Sequence, residues 1–387
     1  MSGCHPYTNS SLASISENTA YPIYIKIAVY RLSVYLIESM QYITDPQILR
    51  KAAIDRHQYR FYYSGRLVVP CVPSLLEEYV EQFHQVFIAV GKAFAPEELN
   101  AFKELIANNL EQGYRISTHA NLVLEYQPAP YPSGALTYNI STVVGSIAGQ
   151  YQGWLQEREP PLFRPYPDAK AIDLASKLGN PAEVKILEIG PGMGRNTLPL
   201  GRLGYQVDAL EITAEFVEHI QQEVTKEGLR INARQGDFLD PLVRFPLVAY
   251  QMVFASEVIP HLHNQNQLRL MFAKVSDYLQ PGGIFLFNTL LPVGDYVPDR
   301  TVRELSVVHC CSLFTKDEIL TALEGLPLQY VMSESQVDYE KAHQPADAWQ
   351  PENLGWFGLW SAGGGLFALP EGQAPPIELS WILLQRN

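Results

Sequence analysis

An acid two residues ahead of three alternating glycines, in the run Glu188-Ile-Gly-Pro-Gly-Met-Gly194, is the densest grouping of chemistry-bearing positions in this chain of 387 residues. Gly190, Gly192 and Gly194 remove side chains where a ligand must approach the backbone. The preceding apolar residues Val184, Ile186, Leu187 and Ile189 read as a buried strand. Asn196 then starts a helix in which Pro199 falls in the first turn, where a missing N–H costs little. The whole is a strand, a glycine turn and a helix that grips a nucleotide-like cofactor.

The spacing G-x-G-x-G departs from the G-x-G-x-x-G of dinucleotide sites. Glu188 would repel a pyrophosphate and would attract an amino group and a sulfonium. That points to S-adenosylmethionine rather than NAD. A second strand, residues 206–211, ends in Glu211, placed to accept both ribose hydroxyls. Residues 231–236 form a third strand; beyond it Asp237 is placed to accept the adenine amino group and Phe238 to pack on the ring. Residues 248–255 read as a fourth strand, followed by Ser256 and Glu257 and a helix over 267–279. The turn Gln280-Pro-Gly-Gly283 leads to a fifth strand at 284–288.

With these motifs in order, the chain from about Asp168 onward resembles the class I S-adenosylmethionine-dependent methyltransferases. The resemblance implies an α/β fold: a Rossmann-like seven-stranded sheet whose last strand, here 376–384, is antiparallel. Carried over by position, Glu188, Gly190, Gly192 and Gly194 would line the methionine part, Glu211 the ribose, and Asp237 with Phe238 the adenine. Ser256 and Glu257 would sit beside the methyl donor. Asn196 and Ile212, adjoining the turn and Glu211, complete the expected cofactor set.

The reaction is in-line displacement at the sulfonium methyl, and a hydroxyl nucleophile needs a general base nearby. His261 and His263, with Glu257, are the candidates just past the fourth strand, since histidine titrates near neutrality. Glu257 and His261 are spaced to share one helix face. Methyltransferases of RNA ends place metal ligands here in an E-V-I-E-H pattern, but this chain has Pro260 where the second acid would stand, so no metal is expected.

Lysine and arginine number 28 against 41 acids, a net charge of -13, which argues against a general nucleic-acid surface. Cys4, Cys71 and the adjacent Cys310-Cys311 show neither metal spacing nor a disulfide framework, as expected of reduced thiols in a cytoplasm. Residues 21–37 are apolar but broken by Lys26 and Arg31 and short for a bilayer, so a buried helix or strand pair is expected there, with no membrane span or signal peptide.

The chain is too long for one ordinary core. Residues 1–160 read as a mainly helical lid and substrate domain and 168–387 as the cofactor domain. Insertions fall at 291–314 and 339–375, and proline-rich 159–168 forms the linker. Apolar periodicity gives helices over 73–94 and from Pro96 onward, a strand at 121–126, and a helix across 138–154. Tyr126, Tyr131, Tyr138 and Trp154 are candidate lid aromatics. Trp349, Trp356, Phe357 and Trp360, beside Gly363-Gly-Gly365, read as a glycine-hinged flap for an acceptor with an apolar or planar part.

Three functions fit. The first is methyl transfer to an N or O nucleophile of a small, partly apolar or aromatic metabolite. The second is modification of a protein side chain, an amide or an amine, with the N-terminal region as docking surface. The third is non-catalytic cofactor binding. No motif sets the oligomeric state or a role for the first 66 residues.

Overall fold

The computed structural model describes residues 42–58, 63–128, 136–157, 163–354, 356–361, 363 and 365–387. The apolar stretch 21–37, the lid candidate Tyr131 and much of the linker lie outside the described residues. Two compact units are present, residues 1–62 and 63–387. The first contributes one described helix, Pro46–Gln58.

The second unit holds two sheets. Strands β1 (Gly65–Pro70), β2 (Ala120–Pro128) and β3 (Leu136–Val144) form an antiparallel sheet in the order β1-β2-β3. Helices Leu76–Ala89 and Pro96–Ile116 supply Phe83, Phe87, Phe102, Ile106 and Leu110 to a core shared with Leu122, Leu124 and Ile140. The expected helices and the strand at 121–126 are therefore present. The helix expected across 138–154 is instead β3 followed by a helix at Ile147–Glu157. Leu136, Tyr138 and Ile140 alternate with Thr137, Asn139 and Ser141, a period of two that puts the first set on the core of the helix pair. Tyr126 and Tyr138 pack in this core, around Phe87, so they plug the accessory fold.

The larger sheet comprises β4 (Lys185–Ile189), β5 (Gln206–Glu211), β6 (Ile231–Gln235), β7 (Tyr250–Ala255), β8 (Leu279–Pro292), β9 (Leu328–Ser335) and β10 (Ile377–Arg386). Their order is β6-β5-β4-β7-β8-β10-β9. The pairings β6-β5-β4-β7-β8 are parallel, and β10 runs antiparallel to both β8 and β9. This is the seven-stranded sheet with a reversed last strand that the resemblance implies.

β4 is central and buried on both faces. Leu187 and Ile189 enter one core with Val253, Phe285 and Phe287, while Ile186 enters the other with Met252, Leu286 and Trp381. Apolar residues on both faces of a strand are how a parallel sheet covered on both sides is built. Gln280-Pro-Gly-Gly283 is absorbed into β8 as an irregularity: Tyr250 pairs with Leu279 and Met252 with Ile284, and Gly282 has φ +78°. Chain order reverses beside β4, since β5 and β6 extend to one side and β7 and β8 to the other. The crevice beyond the carboxyl ends of strands at such a reversal is where ligands of open α/β sheets bind.

Candidate functional site

A cavity of about 540 Å³ opens at that crevice. One end is walled by Gly190, Gly192, Glu211, Ile212, Asp237, Phe238 and Ser256, seven of the residues expected to hold the cofactor. The other end is walled by Ile116, His119, Val144, Ile147 and Tyr151 from the accessory part and by His263, while Leu262 and Met271 line the cavity from the core they share with Phe238.

Glu211 organises the first end. Its Oε2 accepts from the Gly192 N–H at 3.0 Å and its Oε1 from the Thr213 N–H at 2.9 Å, so the acid at the end of β5 also ties down the glycine turn. Burial pushes its carboxyl up, opposed by those backbone donors. Gly190 and Gly192 have φ +70° and +55°, and a Cβ at Gly190 would meet Val258 at 2.5 Å. Asp237 Oδ1 accepts from the Leu239 N–H at 2.8 Å. Phe238 packs edge-on to Tyr278, with the Lys274 ammonium 5.1 Å from its ring centre. A carboxylate fixed by backbone donors beside a turn without side chains fits an adenosyl ligand free of phosphate, and it disfavours a pyrophosphate.

Glu188, Gly194 and Asn196 do not border the cavity. The Glu188 carboxylate lies beneath the turn, 1 % exposed, where Thr197 Oγ1 donates to it. A Cβ at Gly194 would meet Leu198 and Ile220 at 2.9 and 3.2 Å, so that glycine lets the helix close on the sheet. Asn196 is spent on Asp168, accepting from its N–H at 2.7 Å and donating to its carboxylate at 3.0 Å. These residues shape the turn from below.

Two expectations follow. Burial raises the Glu188 carboxyl to about 7. A carboxyl whose folded value lies above its unfolded one costs nothing below the unfolded value, and its penalty is complete above the folded one. Glu188→Gln should therefore raise the melting temperature at pH 8 by the equivalent of about 3 kcal/mol and leave it nearly unchanged at pH 4; equal shifts at both would rule out the titration. At Gly192, a Cβ would meet the Phe163 ring at 3.3 Å on a left-handed backbone. Gly192→Val should thus lower stability by roughly 1–2 kcal/mol as well as abolishing cofactor binding. Paired melting and calorimetry would check both effects.

The acceptor end differs from expectation in its histidines and its acid. Glu257 and His261 do not share a helix face. Glu257 has φ +62° and precedes a short 3-10 turn, Ile259–His261. Its carboxylate accepts from Arg195 Nη2 at 2.9 Å. His261 Nε2 lies 3.3 Å from the Tyr151 hydroxyl, and its Nδ1 is buried without a hydrogen-bond partner. Burial, with His119 adding to it, holds the His261 imidazole down at about 4. His263 also borders the cavity, edge-on to Tyr114 with ring centres 4.8 Å apart.

Arg195, Tyr151, Phe163 and His119 belong to the site and escape the sequence reading. Arg195 joins Glu257 to Asp168, whose Oδ1 accepts from its Nη1 at 2.6 Å. It immediately follows Gly194, and a cation inside a glycine turn was the available signal. The others are placed by tertiary packing alone. The aromatic flap is placed elsewhere: Phe357 and Trp360 are buried with Leu290, Leu313 and Leu379, and Trp349 packs beside them. They anchor the 339–375 insertion as core, and among the described residues none of that insertion borders the cavity. The Trp356 side chain lies outside the described residues. Among the described residues no group of His, Cys, Asp and Glu could hold a metal ion, and no helix is long and apolar enough to cross a membrane.

Residues 186–283 match a protein family described as a methyltransferase domain. The chain is 29% identical over 30% of its length to a ubiquinone biosynthesis O-methyltransferase of Rickettsia prowazekii, of which the match covers 44%. It is 27% identical over 32% of its length to ribosomal RNA small subunit methyltransferase C of Alcanivorax borkumensis, of which the match covers 37%. The chain thus spans less than half the length of these curated relatives. Among solved structures, geranyl diphosphate C-methyltransferase from Streptomyces coelicolor A3(2) aligns with 57% of this chain and 80% of its own at 16% identity and a TM-score of 0.42. The family match falls on β4 to β8, across the glycine turn, Glu211 and Asp237, within a seven-stranded sheet of the expected order. The chain carries a class I S-adenosylmethionine-dependent methyltransferase domain.

Proposed function

We propose that the protein is an enzyme of the cytoplasm that transfers the methyl group of S-adenosylmethionine to an N or O nucleophile of a small, partly apolar metabolite. The observation that carries this reading is the single cavity running from the glycine turn to the chamber under the accessory sheet. Its volume of about 540 Å³ falls in the range of small-molecule sites, about 300–1,000 Å³. Similarity to ubiquinone biosynthesis O-methyltransferases supports a small acceptor, and the net charge of -13 disfavours RNA.

Gly190, Gly192, Glu211, Asp237 and Phe238 would hold the cofactor, which supplies an activated methyl group when bound. Ile116, Val144 and Ile147 would supply apolar walls that orient the acceptor and exclude water. Incubating the full chain with methyl-labelled cofactor and a metabolite extract tests the proposal. A labelled small molecule heavier by one methylene is the expected product. Label found only in polypeptide, or no cofactor binding by calorimetry, would overturn it.

A further inference from the structure

We propose that His119, in the turn that leads into β2, is the catalytic base of the site, and that its acceptor is a hydroxyl compound carried on an apolar scaffold, such as a phenol. This rests on the methyl-transfer reading and narrows it.

The chamber holds three imidazoles, His119, His261 and His263, and they are not equally free to take a proton from a bound molecule. His261 has its Nε2 against the Tyr151 hydroxyl, while its Nδ1 is enclosed by protein. Neither ring nitrogen is open to an acceptor, so the ring serves as wall. His263 lies edge-on to Tyr114. His119 also borders the cavity, and neither of its ring nitrogens is held by a described residue; the same is true of His263, but that ring is covered edge-on by Tyr114, which leaves His119 the freer of the two.

Its backbone, in contrast, is pinned. The N–H donates to Ser117 Oγ at 3.1 Å, and the carbonyl accepts from the Gly145 N–H and from Asn121 Nδ2, both at 3.2 Å. A free ring on a fixed backbone is what a positioned base requires. Contacts also lead to it from the donor end. A Cβ at Gly192 would touch Phe163, Phe163 packs on Tyr151, Tyr151 meets His261, and His261 is within electrostatic reach of His119.

The surroundings select the acceptor's charge. Glu257 is paired with Arg195, and Arg195 is also paired with Asp168. Glu211 and Asp237 stand at the cofactor end. No unpaired cation or carboxylate of a described residue is left at the acceptor end to recognise a carboxylate or an ammonium. Burial holds His119 below its ordinary value, so the ring is unprotonated at neutral pH. A neutral O–H against a neutral imidazole needs no counter-charge on binding.

In the step itself the acceptor O–H proton passes to a His119 ring nitrogen, and the oxygen lone pair forms a bond to the methyl carbon. The methyl carbon–sulfur bond breaks with its electron pair left on sulfur, giving the methyl ether and S-adenosylhomocysteine. The imidazolium then releases its proton to water.

The test uses the full chain with S-adenosylmethionine and phenols of graded acidity, from 4-methoxyphenol to 4-nitrophenol, beside matched anilines and thiophenols. Phenols should turn over. His119→Gln should lower kcat for 4-methoxyphenol by about a hundredfold or more and much less for 4-nitrophenol, which is largely ionised already, with cofactor affinity by calorimetry unchanged. Should that variant unfold, His119→Asn serves in both measurements.

Turnover of anilines or thiophenols but not phenols would overturn the hydroxyl assignment and leave methyl transfer standing. A loss equal across all phenols, or the acidity dependence appearing in His263→Gln instead, would overturn the role of His119. Failure to bind the cofactor at all would remove the methyl-transfer reading and this inference with it.

Discussion

Replacing Glu211 with alanine is expected to weaken S-adenosylmethionine binding by about 3 kcal/mol, roughly 150-fold in Kd. Hydrogen bonds to a charged acceptor are worth about 1.5–3 kcal/mol in net terms, and the ribose would lose two. The structure adds a further loss. Glu211 also accepts from the Gly192 N–H at 3.0 Å, so its removal frees the turn on which the ligand rests. Glu211→Gln, which keeps one acceptor oxygen, should recover part of the affinity. Because burial raises the Glu211 carboxyl, and the protonated acid is a poorer acceptor for two hydroxyls, wild-type affinity should decline as pH falls, whereas that of Glu211→Ala should not. Calorimetry across pH separates the two. Unchanged affinity in the alanine variant would remove Glu211 from the ribose.

The parts of this site legible in the sequence are those whose signal is local. β4 announces itself because a central parallel strand must be apolar on both faces, and the turn after it because three glycines with positive φ leave little else they could be. Glu211, Asp237 and Phe238 follow because the first ends β5 and the other two stand just past β6, and strand ends can be counted. What local reading cannot see is which layer a residue occupies. Glu188 has the type and spacing of a ligand residue, yet its strand alternation turns it beneath the turn toward Thr197. The tryptophan-rich insertion fails for a related reason. Aromatic residues suit a binding flap and a core equally, and only the packing of Phe357 and Trp360 against Leu290 and Leu379 decides between them. β3 is hard to read because Ile140 to Trp154 mixes apolar with small and polar residues, with a period of two at its start and a helical one at its end. His119 carries no local signal at all, since it borders the cavity only because the accessory sheet lies across the carboxyl ends of β4 and β7.

Asp168→Ala should be the most destabilising single change near the site, by about 3–5 kcal/mol, because it breaks a buried ion pair from one side. Asp168 is fully buried and accepts from Arg164 Nη2 at 2.9 Å, Arg195 Nη1 at 2.6 Å and Asn196 Nδ2 at 3.0 Å. Arg195 would keep Glu257 as a counter-charge. Arg164 would keep no carboxylate in ion-pair contact among the described residues: its Nε and Nη1 already lack hydrogen-bond partners, and its guanidinium rests on the Phe357 ring at 3.8 Å. The double variant Asp168→Ala with Arg164→Met should therefore recover much of the loss, since an apolar side chain suits that aromatic surface better than an unpaired cation.

The pH dependence has a definite sign. Burial alone would push the Asp168 carboxyl up, but Arg195 and Arg164 outweigh it and hold it below the ordinary value. Its contribution is therefore present above the unfolded carboxyl's pKa and is lost as pH falls through the lower folded one. In urea titrations the gap between wild type and Asp168→Ala should be constant near neutrality and close in acid. The same variant should bind cofactor more weakly, because Arg195, no longer braced by Asp168, would hold Glu257 less firmly in its left-handed conformation at the cavity wall. Restoring stability through Arg164→Met without restoring affinity would show that Asp168 acts on the site through Arg195; recovery of both together would place its effect in the fold alone.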